Sequence, residues 1–344
     1  MVPLPAENLL PVAGSVLVPA AAPAPAPVLA HTAAAPSAAL PGAFSLQALP
    51  GSQGARVPTL QRAERTAPAR YRVIVLPGSG CAGMAPVAAR YFAGLLHAQV
   101  LVLHKPWVDP AARTPPGQCS AAFVQADALG AWRDHALAAL RADARAQAAL
   151  QARTGRLPLP QVLVGISEGA ELLAALAPQV PHLALVVLMG ASGLDPREAG
   201  ALQAQRLGLG QRWQSIGTAV HSDGLDTWPD NRVLEGRSLR YWRDLWHWPL
   251  AAPLQAGPWP LWQVWGADDA LVPAAAYGRF AAQLQAQARS APHCPRSLPG
   301  ADHGLQGLQA DGVQQVWAAL EQWARTPQAG ACSALQRSPS PGQR

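Results

Sequence analysis

Residues 157–176, LPLPQVLVGISEGAELLAAL, constrain this chain more than any other stretch. Val162, Leu163 and Val164 form a short apolar run behind Pro158 and Pro160. Leu172, Leu173 and Leu176 follow at helical spacing. Between the two runs lies Gly165-Ile166-Ser167-Glu168-Gly169. A strand that meets a helix through so short a turn must reverse sharply, and the glycines two places before and after the serine leave room for the chain to fold back. Such a turn lifts Ser167 Oγ above the carboxyl edge of a sheet, with the backbone amide of Glu168 beside it. G-x-S-x-G also arises by accident in a glycine-rich chain, so the other elements decide its meaning.

Those elements alternate. Residues 44–49 and 56–60 read as short antiparallel edge strands, and 72–76 (RVIVL) as a buried strand. A helix follows with Val87, Tyr91 and Leu95 on one face, then a second buried strand at 100–103. A long helix is expected over about 121–153, with Leu129, Trp132, Ala136 and Leu140 as its apolar stripe. Strands follow at 162–164, 183–189 and 261–265, helices at about 274–287 and 313–324, and a short last strand at 296–298. This order predicts an α/β fold, a doubly wound and mostly parallel sheet with helices on both faces. Functional groups then collect at the carboxyl ends of the strands. Residues 194–258 break the rhythm and read as a helical insertion. Eight of the chain's twelve Trp lie between Trp213 and Trp265.

Half of the 344 residues are hydrophobic, ample for one large core or two modest ones, and only 13% are charged. The net charge of +6 is spread along the chain, with no basic run interleaved with aromatics, so no nucleic-acid partner is expected. No apolar run has the length and purity of a membrane span. There is no HExxH, no CxxC and no close His/Cys cluster, so no metal site is indicated. Residues 1–42 are Ala/Pro-rich. The 9–22 stretch fits the apolar part of an export signal, although Glu7 stands where a basic residue is usual, and a disordered arm fits as well. Residues 326–344 read as a disordered tail.

An Asp in Gly266-Ala267-Asp268-Asp269-Ala270-Leu271-Val272-Pro273 and a His in Asp302-His303-Gly304 complete the order Ser…Asp…His. With Leu76-Pro77-Gly78-Ser79-Gly80 after the first long strand, the chain resembles the α/β-hydrolases over residues 43–325. The resemblance implies that Ser167 is the nucleophile, His303 its base and Asp269 the orienting acid. It implies the amides of Glu168 and Ser79 as oxyanion donors and the insertion at 194–258 as a lid. It implies a serine hydrolase of the esterase, peptidase or acyltransferase type, acting on an ester, thioester or amide in a small molecule or peptide with no cofactor. Trp242 and Trp246 are candidate substrate contacts, or else fill the lid's own core.

Two other readings compete. Gly78-x-Gly80-x-x-Gly83 is also the dinucleotide pattern, and Lys105 would then meet the 2′-phosphate of NADP in an oxidoreductase. A hydrolase fold without catalysis would serve as a binding module. Lastly, Cys81 and Cys119 fall in loops at the carboxyl edge, Cys294 and Cys332 at the opposite edge. The topology therefore predicts two disulfides, Cys81–Cys119 and Cys294–Cys332, and with them a periplasmic or secreted location; four free thiols in a cytoplasmic enzyme are the alternative.

Overall fold

The computed structural model describes residues 43–222, 228–287, 289–308, 311–326 and 330–336. The expected leader, 1–42, lies outside them. Eight strands form one sheet: β1 (Ser45–Pro50), β2 (Arg56–Arg62), β3 (Tyr71–Leu76), β4 (Ala98–Leu103), β5 (Gln161–Ile166), β6 (Leu183–Met189), β9 (Leu261–Gly266) and β10 (His293–Leu298). Their spatial order is β1-β2-β4-β3-β5-β6-β9-β10. The first two strands run antiparallel, and from β4 to β10 every pairing is parallel.

Period-2 alternation splits the apolar runs between two cores. Ile74, Leu76, Leu101, Leu103 and Leu163 face one side. There they meet α3 (Leu129–Thr154), α4 (Leu173–Leu176) and α9 (Ala274–Ala286). Val73, Val75, Val100, Val102, Val162 and Val164 face the other, under α1 (Ala85–Tyr91), α10 (Gly312–Arg325) and α11 (Ala331–Gln336). Burial on both faces is why these strands read as continuous apolar runs.

The single helix expected over 121–153 is two helices. Chain leaves α2 (Ala121–Ala126) at Asp127, whose ψ of 113° is extended, and restarts as α3 after Ala128. The break lets the Asp127 carboxylate turn inward to Lys105 and Arg237. The tail expected to be disordered from 326 contains α11, which packs on the sheet. The Trp262 indole N–H donates to Ala331 O at 3.0 Å, and a disulfide joins Cys332 to Cys294 in β10. Residues 327–329 and 337–344 lie outside the described residues.

Between β6 and β9 the chain forms α5 (Pro196–Arg206), α6 (Gly210–Val220), the two-stranded ribbon β7 (Val233–Leu234) and β8 (Arg237–Ser238), α7 (Leu239–Trp246) and α8 (Ala251–Ala256). This helical insertion has its own small core of Ile216, Ala219, Val220, Leu239 and Trp246, with Trp213, Trp228 and Trp242 against it.

Candidate active site

β5 ends at Ile166, and Ser167 opens a 3₁₀ turn (Ser167–Leu172) with φ of +51°. A left-handed serine is strained by about 1–3 kcal/mol and persists only where its surroundings hold it. Both flanking glycines supply that grip. A Cβ on Gly165 would stand 2.4 Å from Ala170 Cα, and one on Gly169 would stand 2.2 Å from the carbonyl oxygen of Leu76. The motif therefore lets the turn press against its own helix and against β3.

Ser167 Oγ lies 2.9 Å from His303 Nε2, and His303 Nδ1 lies 2.9 Å from Asp269 Oδ2. An ionised carboxylate only accepts, so Nδ1–H donates to Asp269. In the neutral ring Nε2 is then free to accept from the serine hydroxyl. Three strand ends bring these groups together. β5 carries the serine, the loop after β9 carries Asp269, and the loop after β10 carries His303. Gly190, at the end of β6 with φ of +63°, allows His303 close approach: a Cβ there would be 3.3 Å from the ring's Cε1.

Asp269 is held on every side, with only 2% of its side chain exposed. Oδ1 accepts the amides of Leu271 at 2.8 Å and Val272 at 2.9 Å, and Oδ2 also accepts the hydroxyl of Tyr277 at 2.9 Å. Burial alone would raise this carboxyl, but the hydrogen bonds from His303, Val272 and Leu271 outweigh it and hold the group below the ordinary carboxylate value. Asp268 and Asp302 are exposed. The Asp268 amide donates to Ala301 O, and Asp302 Oδ1 accepts the Gln306 amide. Tyr277 was not legible beforehand. It sits in the first turns of α9 among alanines, where a core role is the default. Burial and the Asp269 charge push its phenol up, so it stays a donor, and its ring stacks on Trp265 at 4.6 Å.

The two candidate oxyanion donors are the amides of Glu168 and Ser79. Glu168 is the second residue of the 3₁₀ turn, where backbone N–H groups lack a partner within the helix. Gly78 packs against the serine, since a Cβ there would be 3.3 Å from Ser167 Cβ, and Ser79 follows it, itself exposed between Gly78 and the buried Gly80. Cys81, in the same loop, is bridged to Cys119.

One feature of the site carried no sequence signal. The Glu168 side chain is buried in a network of charges. Lys105 Nζ donates to Glu168 Oε2 at 2.7 Å and to Asp127 Oδ1 at 2.9 Å. Arg237 donates to Asp127 and lies 3.8 Å from Glu168, and the Tyr241 hydroxyl donates to Glu168 Oε1 at 2.6 Å. Burial would raise Glu168, but Lys105, Arg237 and the hydrogen bonds pull it down to about 2. Burial and the Glu168 charge push the Asp127 carboxyl the other way, up, against the pull of Lys105 and Arg237.

Lys105, 3% exposed, is thus engaged twice within the protein rather than open to a nucleotide phosphate. Gly83 answers a packing need, because a Cβ there would be 2.0 Å from Pro110 O. Among the described residues no three His, Cys, Asp or Glu side chains are grouped as a metal site would group them. Trp242 and Trp246 pack in the insertion's own core, with Trp242 Nε1 donating to Leu234 O at 2.9 Å.

No protein-family model and no curated protein matches this chain. Among solved structures it is similar to a puromycin-hydrolysing peptidase from Mycobacterium tuberculosis, at 16% identity and a TM-score of 0.51, over 82% of this chain and 39% of that one. The chain thus spans about two fifths of the peptidase. It is similar to Est1E from Butyrivibrio proteoclasticus at 12% identity and a TM-score of 0.52, over 83% of this chain and 99% of that one. The same protein bound to ferulic acid gives 13% identity and 0.53, over 82% and 99%. At such identities the likeness speaks for architecture, and it agrees with the strand order and the strained serine turn: the protein has the α/β-hydrolase fold.

Proposed function

We propose that this protein is a serine hydrolase that cleaves an ester, thioester or amide through an acyl-enzyme on Ser167. The observation that carries the reading is the unbroken chain Ser167 Oγ–His303 Nε2 and His303 Nδ1–Asp269 Oδ2, each 2.9 Å, on a serine with positive φ. His303 takes the hydroxyl proton as Oγ attacks the substrate carbonyl. The oxyanion that forms meets the amides of Glu168 and Ser79. Collapse expels the leaving group, which takes the proton back from His303. Water then enters by the same route and releases the acid. Asp269 keeps the imidazole in its working tautomer and stabilises the imidazolium. The reaction needs no metal or organic cofactor.

Substrates are small molecules or peptides, in keeping with fold neighbours that include a peptidase and a ferulic-acid-binding protein. The insertion over 194–258 stands as the cover of the site. Trp242 and Trp246 serve it by filling its core rather than by touching the acyl group. The two disulfides favour work outside the cytosol, periplasmic or secreted. No helix among the described residues is long and apolar enough to cross a membrane.

A fluorophosphonate probe on the purified protein tests the reading, followed by a panel of acyl esters, thioesters and peptides. Covalent labelling on Ser167, lost in Ser167→Ala with the fold intact, is expected. Undiminished hydrolysis by Ser167→Ala would sink it.

A further inference from the structure

The insertion is fastened to the serine turn by a set of side chains that the reaction itself does not require. Tyr241 and Arg237 come from the insertion, at the ribbon and the first turn of α7. The Ser238 hydroxyl accepts the Tyr241 amide at 3.2 Å and so sets the start of that helix. Asp244, one turn further, accepts the Gly130 amide at 2.7 Å and caps the start of α3, which has no side-chain cap of its own. Gln125 Nε2 reaches Asn231 O at 2.8 Å. Four segments thus meet at Glu168: the loop after β4, the α2–α3 break, the serine turn and the insertion.

We propose that the Glu168 side chain is a positioning residue through which Tyr241 and Arg237 of the insertion hold the oxyanion-binding amide in place. The inference rests on the hydrolase reading above. Amide and carboxylate belong to the same residue, next to a serine in strained backbone. Oε1 is pinned by Tyr241 and Oε2 by Lys105, from two directions, so rotation of the Glu168 peptide is resisted at the side chain. A buried charge network is a poor route to stability alone, because apolar side chains of the same volume often do as well. Its geometry is the better reason for it. The chain gives up two helical residues to bring in Asp127. It also places here its one lysine, Lys105, whose compact ammonium reaches both carboxylates between the rings of Phe123 at 5.8 Å and Trp132 at 4.7 Å.

The test uses the full chain, with kcat expressed per site titrated by fluorophosphonate, so that unfolded molecules do not count. Tyr241→Phe removes one hydroxyl and should fold. Glu168→Gln keeps the length and loses the charge. Expected is a fall in kcat of about tenfold for Tyr241→Phe and about 10²-fold for Glu168→Gln, the cost of a misplaced reacting group, with KM of a small ester nearly unchanged. Affinity for a trifluoromethyl ketone, which forms a tetrahedral oxyanion on the serine, should fall in parallel with kcat. Unchanged kcat per titrated site and unchanged ketone affinity in both variants, with only a lower Tm, would overturn the inference while leaving the hydrolase reading intact. A wild-type protein that neither labels nor hydrolyses would overturn both.

Discussion

Gly169 touches Leu76 backbone to backbone: a Cβ on the glycine would stand 2.2 Å from the Leu76 carbonyl oxygen and 2.4 Å from that of Pro77. The turn that carries the serine therefore leans directly on the strand that leads into the candidate oxyanion loop. Neither partner is a flexible side chain that could step aside. Gly169→Ala should destabilise by about 1–3 kcal/mol or more, as overpacking does, and should lower activity by shifting Ser167. Gly278→Ala in α9 is the control, with nothing within 4 Å of its added Cβ, and should stabilise by about 0.5–1 kcal/mol. Equal melting temperatures for the two variants would contradict the close approach.

The two adjacent aspartates should behave differently. Asp269→Asn is expected to lower turnover by about 10⁴, because an amide can hold the wrong imidazole tautomer. Asp268, exposed, should tolerate the same change with little effect. Tyr277→Phe removes one of the four hydrogen bonds on Asp269 and should cost turnover far less than Asp269→Asn. Steady-state kinetics on the three variants decide it, and a larger loss at Asp268 would mean that the acid is misassigned.

Much of this site was legible because it depends on local backbone. The serine turn and Gly266 through Asp269 each follow a strand buried on both faces, and such strands announce themselves as apolar runs, whereas Asp302-His303-Gly304 follows the half-exposed edge strand β10 and is legible from its His-Gly and its place after the last strand. What failed to show were features set by distant partners. Asp127 breaks a good helix only because Lys105 and Arg237 wait in the core. α11 is six residues of modest apolarity, held by Cys294 and by Trp262 rather than by its own pattern. Tyr277 looks like any core aromatic until Asp269 folds against its hydroxyl.

The insertion's tryptophans bear on stability. Trp213 and Trp246 lie 4.8 Å apart with their rings tilted by 33°, and Trp246 packs on Gly217, where a Cβ would meet it at 2.7 Å. Trp246→Ala should lower stability by about 3–5 kcal/mol, with the preference among acyl chain lengths in kcat/KM retained. A changed ranking at an unchanged Tm would instead make the ring a substrate contact.

Glu171 offers a pH test. Its Oε2 is shielded and has no hydrogen-bond partner among the described residues. Burial, with Glu168 and Asp195 nearby, pushes its carboxyl well above the ordinary value of 4.5. The folded state therefore keeps a proton that the unfolded chain gives up, and stability falls as pH rises above about 4.5. Glu168 titrates in the opposite sense: its contribution is full above the ordinary value and is lost as pH falls through about 2. That term is common to wild type and Glu171→Gln and cancels between them. Thermal melts should show Glu171→Gln near wild type at pH 4 and more stable at pH 8. A variant less stable at pH 8 would show that the carboxylate is ionised and paired.

The two disulfides close loops of the same length, each spanning 38 positions, and so should stabilise equally against chain entropy, by about 4 kcal/mol each. Their positions differ. Cys294 lies at the start of β10 and Cys332 in α11, at the edge of the sheet away from Ser167. Cys81 lies two residues after Ser79, and its partner Cys119 comes from the loop before α2. Removing Cys294–Cys332 by paired alanines should lower Tm and leave turnover per titrated site unchanged at low temperature. Removing Cys81–Cys119 should lower Tm by a similar amount and also lower turnover, since the loop that carries the proposed Ser79 oxyanion donor would lose its tether. Non-reducing peptide mapping establishes the pairing, and kinetics on both paired variants compare the effects. Equal turnover in the two would mean that the Cys81–Cys119 bridge serves stability alone and that the Ser79 loop is held by its packing.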